Sequence, residues 1–414
     1  MKNKSILFQI SIEVNSGSVG RIAEQIGHVA IQQGWESYIT YARNYLPSQS
    51  KTMRIGNKFD VYWHGINTRL FDNHCLCSTN ATKKLIKQIK QIKPDIILLH
   101  HIHGYFLNMK ILFNYLSSIE TPIVWVFHDC WSFTGHCAYF DYVCCDKWIS
   151  KCYKCPQKRE YPGSFFLDRS FRNYSLKKQL FNQVKNMTII PVSQWLCSIV
   201  QKSFLNKYPI RVIQNGIDIN LFSPQNNTEQ IKIKYRVANK LLLLGVANIW
   251  EQRKGLQDFV KLSQHLDSNC QIILIGLKKR QIKNLPQNVI GIERTENVQE
   301  LANLYSAADL FVNPTWEDTF PTTNLEALAC GTPVATYRTG GSVESVSEDT
   351  GFVVDKGDIE ALSDVINILK QKGKTFYSEN CRNRAISLYN KNDRFIEYIN
   401  LFDKILLTRA LSVH

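Results

Sequence analysis

No run in this chain approaches the roughly 20 apolar residues that a membrane-spanning helix requires, which excludes a helical integral membrane protein. The N-terminal stretch MKNKSILFQISIEV is interrupted by Gln9 and Glu13 and has no small-residue cleavage site, so it reads as a first strand and not as a secretion signal. Internal repeats and low-complexity tracts are missing as well. So are helix-turn-helix, zinc-finger and RNA-binding signatures, which removes nucleic acid from the expected partners. Twelve cysteines without an export signal argue against a disulfide framework. The expectation is a cytoplasmic protein.

What is present is enough chain for two domains, since 414 residues divide into two of about 200 each. The net charge of +15 is unevenly spread: residues 1–220 hold 27 Lys/Arg against 13 Asp/Glu, and residues 221–414 hold 23 against 22. A basic half beside a neutral one implies an anionic surface facing the first. The inner face of the cytoplasmic membrane is such a surface, where each lysine gains about 1 kcal/mol. A solvated basic surface without a partner is the competing reading.

The most informative stretch is Asn313–Glu344, NPTWEDTFPTTNLEALACGTPVATYRTGGSVE. The apolar run Asp309–Val312 predicts a buried parallel strand. Pro314 ends it, placing the next residues in the crevice beyond a strand's carboxyl end, where open α/β sheets bind ligands. Pro321 and Thr322-Thr323-Asn324 open a helix that Gly331 stops. Pro333–Thr336 is the next strand, followed by a tight loop at Gly340-Gly341. Asp318 and Glu326, with seven residues between them, are spaced to share one polyhydroxylated ligand. Carboxylate oxygens accept strong hydrogen bonds from sugar or ribose hydroxyls. Backbone N–H groups near Thr322 and along Gly340-Gly341 suit a phosphate. Hydroxyl acceptors beside an anion cradle describe a nucleotide-sugar site.

Asp318, Glu326, Gly331-Thr332-Pro333-Val334, Gly340-Gly341 and Glu344 resemble the pattern of the retaining glycosyltransferases of family 4, which have the GT-B fold. The resemblance implies an α/β architecture: two Rossmann-like domains facing across a cleft, and a C-terminal helix crossing back to the first domain. On this chain that gives an acceptor domain at 1–220 with a Cys-rich insertion at 130–160, a donor domain at 221–394 and a crossover helix at 395–414. It assigns donor contacts to Asp318, Thr319, Phe320, Pro321, Thr322, Glu326, Gly340 and Gly341. The family's first acid is usually Glu, so Asp318 is a departure, with Glu317 as the neighbouring substitute.

Elsewhere in the second half, the strand Leu241–Ala247 leads to Arg253-Lys254-Gly255 and a helix. Arg forks onto oxygens and Lys acts as a point charge, so the pair suits a diphosphate. The family carries a further Arg six residues before its Lys; Asn248 stands there, which shifts load onto Arg253. Arg294, after the strand Val289–Gly291, is expected to meet the base.

In the first half, Ser5–Ile10 leads into a loop with Gly17 and Gly20 and then a helix, the grammar of a phosphate cradle. Family 4 enzymes pack a glycine loop here against the donor diphosphate. The strand Ile96–Leu99 runs into His100, His101 and His103, and Ile123–Phe127 into His128-Asp129. The family's His-Asp pair puts His128 beside the reacting sugar, and His103 is read as lining the acceptor side. A metal on the three neighbouring histidines is disfavoured because they alternate across a strand end and have no acidic companion. Lys83–Lys93 predicts an amphipathic helix with Leu85, Ile86, Ile89 and Ile92 on the core face; its lysines read as a solvated surface without a partner ahead of a contact with lipid. Leu46–Thr79 has no clear period and predicts loops with short helices, and Pro209–Gln214 predicts the last strand of this half.

Cys137, Cys145, Cys152 and Cys155 are spaced by seven, six and two residues, the last two forming a C-x-x-C before Pro156. Four thiolates around a structural zinc would give this irregular segment a core. Free thiols and a redox pair are the alternatives, and Cys144 is an alternative to Cys145. The insertion resembles one in family 4 enzymes of bacterial capsule and O-antigen clusters.

These readings, with the retention of configuration that the resemblance implies, combine into the expectation of a glycosyltransferase of surface polysaccharide synthesis. It moves a sugar from a nucleotide-diphosphate donor to a saccharide or lipid-linked saccharide acceptor. Arg253 and Lys254 neutralise the leaving diphosphate, Glu326 holds ribose, Asp318 the sugar, and His128 the reacting centre. No Asp-x-Asp pair occurs, so no catalytic cofactor is expected. The alternatives are a non-catalytic sugar-nucleotide-binding scaffold and a nucleotide-sugar epimerase.

Overall fold

The structure is a computed structural model that describes residues 4–412. The chain divides into two compact units, Met1–Gln214 with Asn392–His414, and Asn215–Lys391. In the first unit, β1 (Ile6–Ile10), β2 (Glu36–Tyr41), β3 (Lys51–Arg54), β4 (Ile96–Leu99), β5 (Ile123–Phe127) and β6 (Met187–Pro191) form one sheet. Its order is β3-β2-β1-β4-β5-β6 and every pairing is parallel. β4 reads IILL and β5 IVWVF, with every residue buried. Such unbroken apolar runs mark strands covered by helices on both faces. Phe113, Trp125 and Phe181 pack there with ring centroids 4.3–5.4 Å apart, each such side chain contributing about 1.5–3 kcal/mol by leaving water.

The second unit repeats the plan. Its strands are β7 (Leu241–Val246), β8 (Cys270–Ile275), β9 (Val289–Ile292), β10 (Leu310–Asn313), β11 (Val334–Tyr337) and β12 (Gly351–Val354). They pair in the order β12-β11-β10-β7-β8-β9, again all parallel. In both sheets the first and fourth strands lie side by side, and the connections leave in opposite directions from there. Such a switch point opens a crevice at the carboxyl ends of those two strands.

Three expectations are corrected. Leu46–Thr79 is more regular than its pattern predicts: it supplies the edge strand β3 and a helix, Lys58–Phe71. That helix is opened by a reciprocal cap, in which the Asn57 side chain accepts from the Asp60 N–H at 2.9 Å and the Asp60 carboxylate accepts from the Asn57 N–H at 2.8 Å. Its apolar residues lie on both faces, which erases the period. Pro209–Gln214 does not form a regular strand, but it runs parallel beside β6 through the bridge Ile189–Ile210 and the Ile213 N–H donating to Pro191 O at 3.3 Å. In the helix Thr79–Ile92, Leu85 and Ile89 are buried as expected while Ile86 and Ile92 are half-buried.

The last helix, Lys391–Ser412, belongs with the first unit from Asn392 onward. Phe395, Tyr398, Ile399 and Phe402 are buried, and the Phe402 ring lies 5.9 Å from that of Trp35. Among the described residues no helix is long and apolar enough to cross a membrane.

Candidate active site

In the second unit the functional residues converge on the switch point. β7 ends in a 3-10 turn, Gln252–Lys254, and β10 ends in the loop that carries Asp318. Lys254 Nζ and the Asp318 carboxylate form an ion pair across the two loops, so the pair spans the crevice between the sheet's first and fourth strands. The loops are also tied by backbone: Trp316 N–H donates to Arg253 O at 2.7 Å, and Arg253 Nη1 donates to Glu317 O at 3.1 Å. Two glycines make this approach possible. Gly255 has φ +76°, and a Cβ there would sit 2.0 Å from Pro314 O. Gly340 has φ +49°, and a Cβ would sit 1.9 Å from Asp318 O. Both positions exclude a side chain on conformation and on space.

Glu326 lies in the helix Thr322–Ala329, which starts directly after Pro321. Its Oε2 accepts from the buried Tyr305 hydroxyl at 2.9 Å, which fixes the carboxylate. Tyr305 was not legible as a site residue, because it reaches Glu326 from a different helix, Val298–Ala307. Thr319, Phe320 and Pro321 are buried in the loop, with the Phe320 ring 5.9 Å from that of Tyr389. Two donor-side expectations change. The Gly341 N–H is not presented to a phosphate, because it donates to Asp318 O at 3.1 Å. Glu317 is fully buried and so is not the acid that faces a ligand. Arg294 is exposed at the carboxyl end of the edge strand β9, with β8 between it and β7.

In the first unit the histidines assemble at the carboxyl ends of β4 and β5. Gln9 sits inside β1, where its Nε2 donates to Ala23 O at 2.9 Å, leaving Oε1 to face His100 Nε2 at 3.0 Å. His100 therefore carries its proton on Nε2 and accepts on Nδ1, which lies 3.3 Å from His128 Nε2. It follows that neutral His128 is protonated on Nε2 and keeps Nδ1 as its basic nitrogen. Burial holds His100 down to about 3 and places His128 well below its ordinary range, so both stay neutral.

The expectation that the histidines lack an acid is wrong: the acid is Asp129. His103 Nε2 lies 3.0 Å and His101 Nε2 3.3 Å from Asp129 Oδ2, and the Trp131 N–H donates to Oδ1 at 3.0 Å. Burial works against the Asp129 charge, but His103, His101 and this hydrogen bond overcome it and hold the carboxyl well below the usual range. His103 Nδ1 faces the Tyr161 hydroxyl at 3.0 Å, which ties the Cys-rich segment to this cluster. The donor atoms of His101, His103 and Asp129 lie within 4.8 Å of one another. Gly17 and Gly20 open the helix Gly17–Gln32 against Glu13: a Cβ on Gly17 would come 2.5 Å from the Glu13 carboxylate, and one on Gly20 would come 3.2 Å from the Glu13 backbone. Cys137, Cys145, Cys152 and Cys155 line one small cavity.

A doubly wound parallel sheet in each of two units, with a cation-carboxylate pair across the switch point of the second, is the α/β architecture of the GT-B fold. Residues 19–221 match Glycosyltransferase Family 4 and residues 240–371 match Glycosyl transferases group 1. The chain belongs to the family 4 glycosyltransferases and is a glycosyltransferase. It is 23% identical to the putative colanic acid biosynthesis glycosyl transferase WcaC of Escherichia coli K12 over 96% of this chain and 100% of that one. It is 23% identical to the UDP-Gal:alpha-D-GlcNAc-diphosphoundecaprenol alpha-1,3-galactosyltransferase of E. coli, over 46% of this chain and 53% of that protein. Among solved structures, Anabaena HepE in complex with UDP superposes with a TM-score of 0.68 at 16% identity, covering 97% of this chain and 100% of that one.

Proposed function

We propose that the chain transfers a sugar, with retention at the anomeric carbon, from a nucleotide-diphosphate donor to a saccharide or lipid-linked saccharide during surface polysaccharide synthesis. The observation that carries this reading is the Lys254–Asp318 pair at the switch point, beside a helix start and a Glu326 held by Tyr305. As the glycosidic bond breaks, charge develops on the diphosphate, and Arg253 and Lys254 are the cations at hand to stabilise it. Glu326 accepts ribose hydroxyls. Asp318 positions Lys254 and presents the rest of its carboxylate to the sugar. In the first unit, His128 is the histidine that the family's His-Asp pair sets beside the reacting sugar, and the imidazoles of His101 and His103, held near Asp129, line the acceptor side. UDP in the HepE complex and the undecaprenol-linked substrate in the galactosyltransferase's name support a uridine nucleotide donor and a lipid-linked acceptor. The relatives lend nothing to an epimerase or a scaffold.

A panel of nucleotide-diphosphate sugars tests the donor. One nucleotide series is expected to raise the melting temperature, since a ligand at a hundred times its Kd adds about 2.7 kcal/mol. No shift with any of them defeats the proposal.

A lipid-linked acceptor places the enzyme at a membrane surface, and the first unit has a face for it. The helix Lys58–Phe71 turns Phe59 (71% exposed), Tyr62 (69%) and Trp63 (54%) to solvent. Beside its end lie the exposed Phe165 and Phe166, tied to it by the Phe165 N–H donating to Arg69 O at 2.8 Å. Lys58 and Arg69 on the same helix are exposed too. Aromatic side chains among cations suit the headgroup layer of an anionic leaflet. This face, more than the lysines of Thr79–Ile92, is the docking surface we propose. The Phe59→Ser/Trp63→Ser double variant is expected to lose at least tenfold in flotation with phosphatidylglycerol vesicles, because each buried ring is worth about 1.5–3 kcal/mol. Unchanged flotation, or no flotation by the wild type, removes the membrane role.

A further inference from the structure

Residues 131–140 of the Cys-rich segment are almost wholly buried, with little of the regular backbone pairing that normally accompanies burial. Between β5 and the helix Ser170–Phe181 the segment has only three 3-10 turns, Trp131–Phe133, Asp141–Val143 and Lys147–Ile149. Yet Trp131, Phe133, Phe140 and Trp148 are all buried in it. A bound metal would give so short and irregular a stretch a cross-link of its own.

Cys137, Cys145, Cys152 and Cys155 line a single small cavity walled by Phe140 and Trp148, and all four are free of disulfides. Cys137 and Cys155 are hydrogen-bonded to each other. The Gly135 N–H donates to Cys152 Sγ at 3.2 Å, a contact that stabilises a thiolate. Gly135 is pressed so tightly there that a Cβ would sit 2.7 Å from the Cβ of Cys152 and 2.1 Å from Ser170 O.

A second observation comes from charge. Lys177 is 1% exposed, and its ammonium donates to Trp131 O at 2.6 Å and Thr134 O at 3.0 Å and lies 3.4 Å from the centre of the Trp131 ring. Among the described residues no carboxylate forms an ion pair with it. Asp129 is committed to His101 and His103. Burial disfavours the Lys177 charge, and Cys75, then Cys152, Cys137 and Asp129, are the groups close enough to support it. A buried ammonium needs an anion, and thiols are anions once they bind a metal.

We propose that Cys137, Cys145, Cys152 and Cys155 bind one structural Zn²⁺ as thiolates, with Lys177 as the buried counter-cation. Binding releases four thiol protons and leaves a dianionic centre, one charge of which Lys177 balances. Soft thiolates and a closed four-ligand set select zinc without an open position for chemistry. The same loops carry Trp131, whose N–H holds Asp129, and Tyr161, whose hydroxyl faces His103. The metal therefore holds the wall behind the acceptor-side histidines, a positioning role.

The full chain, purified without chelators, should contain close to one zinc per molecule by elemental mass spectrometry. Cobalt exchanged into the site should give the thiolate charge-transfer and strong d–d bands of a tetrahedral sulfur site. Cys145→Ser and the Cys152→Ser/Cys155→Ser double variant should lose the metal, while Cys144→Ser and Cys197→Ser keep it. Lys177→Met should keep zinc but yield it to a competing chelator at least tenfold more readily. Should the ligand variants fail to fold, alkylation of the wild type decides: a chelator should expose four additional thiols, all within 137–155. A protein that takes up neither zinc nor cobalt overturns the proposal. So does full zinc occupancy in the double variant, or a Cys152–Cys155 disulfide in the purified chain. None of these readouts depends on sugar transfer, so the zinc site and the donor reading stand or fall separately.

Discussion

Lys254→Ala is expected to lower kcat for sugar transfer by about a thousandfold, equivalent to about 4 kcal/mol of lost transition-state stabilisation. The size of the effect follows from where the ammonium sits. Lys254 stands at the crevice between β7 and β10, held by Asp318, so its charge is in place before the glycosidic bond breaks. A preorganised cation costs no reorganisation when charge develops on the leaving diphosphate. Stability should hardly change. The side chains of Lys254 and Asp318 are 21% and 15% exposed, and a pair that keeps contact with water is worth about 0–1 kcal/mol. The melting temperature of Lys254→Ala should therefore stay within a few degrees of wild type. Arg338→Ala is the matched control, because it breaks the fully solvated Arg338–Asp355 pair of the same unit and should leave both rate and stability unchanged. Lys254→Arg should recover part of the rate, since it restores the charge with a different reach. Transfer by Lys254→Ala at more than a tenth of the wild-type rate would rule Lys254 out as the diphosphate's main cation.

The sheets and the donor loop were legible because their signals are local. β4 and β5 are unbroken apolar runs, and the proline and glycines around Asp318 punctuate one short stretch. What stayed hidden depends on pairing between distant segments. β4 and β5 pair in parallel with Leu99 opposite Trp125, and the same offset carried past the strand ends sets His103 beside Asp129. No spacing rule within either segment contains that register, so the histidines looked acid-free. Tyr305 reaches Glu326 and Asp318 reaches Lys254 in the same long-range way. The Gly341 N–H was misread for a related reason. A glycine loop looks identical in sequence whether its amide faces a ligand or, as here, closes onto Asp318 O. The helix Lys58–Phe71 escaped because periodicity analysis assumes that apolar residues mark a buried face, and Phe59, Tyr62 and Trp63 lie on the exposed one.

Those buried histidines set the response of the fold to acid. Lowering the pH from 7.5 to 5 is expected to cost the wild type several kcal/mol of stability, most of it in the first unit. Burial holds His64 and His100 down to about 3 and His101 to about 4, against an ordinary value of 6.5. Below pH 6.5 the unfolded chain takes up a proton at each of these positions while the folded chain does not. Stability then falls with pH and goes on falling until the folded values are reached. At pH 5 each such histidine costs about 2 kcal/mol. Asp129 does not act in this window: a depressed carboxyl contributes fully above its unfolded value, which lies below pH 5. His136 works in the opposite direction. Burial disfavours its charge, but the contact with Asp72 outweighs burial and raises it, so its contribution is fully present in acid and is lost as pH rises through the folded value. It offsets one of the three losses in part. His64 tests the effect one ring removed from the acceptor-side cluster: its ring lies 6.4 Å from that of His74, which lies 5.9 Å from that of His103. Its Nδ1 bonds to Ser78 Oγ at 2.8 Å and its Nε2 accepts from the Cys75 N–H at 3.0 Å. His64→Gln keeps polar atoms there but no longer titrates. Denaturant melts at pH 7.5 and 5 should show its acid loss smaller than the wild type's by about 2 kcal/mol. Equal losses would mean that His64 is solvated or protonated in the folded protein, and the neutral state inferred for the neighbouring histidines would lose its basis as well.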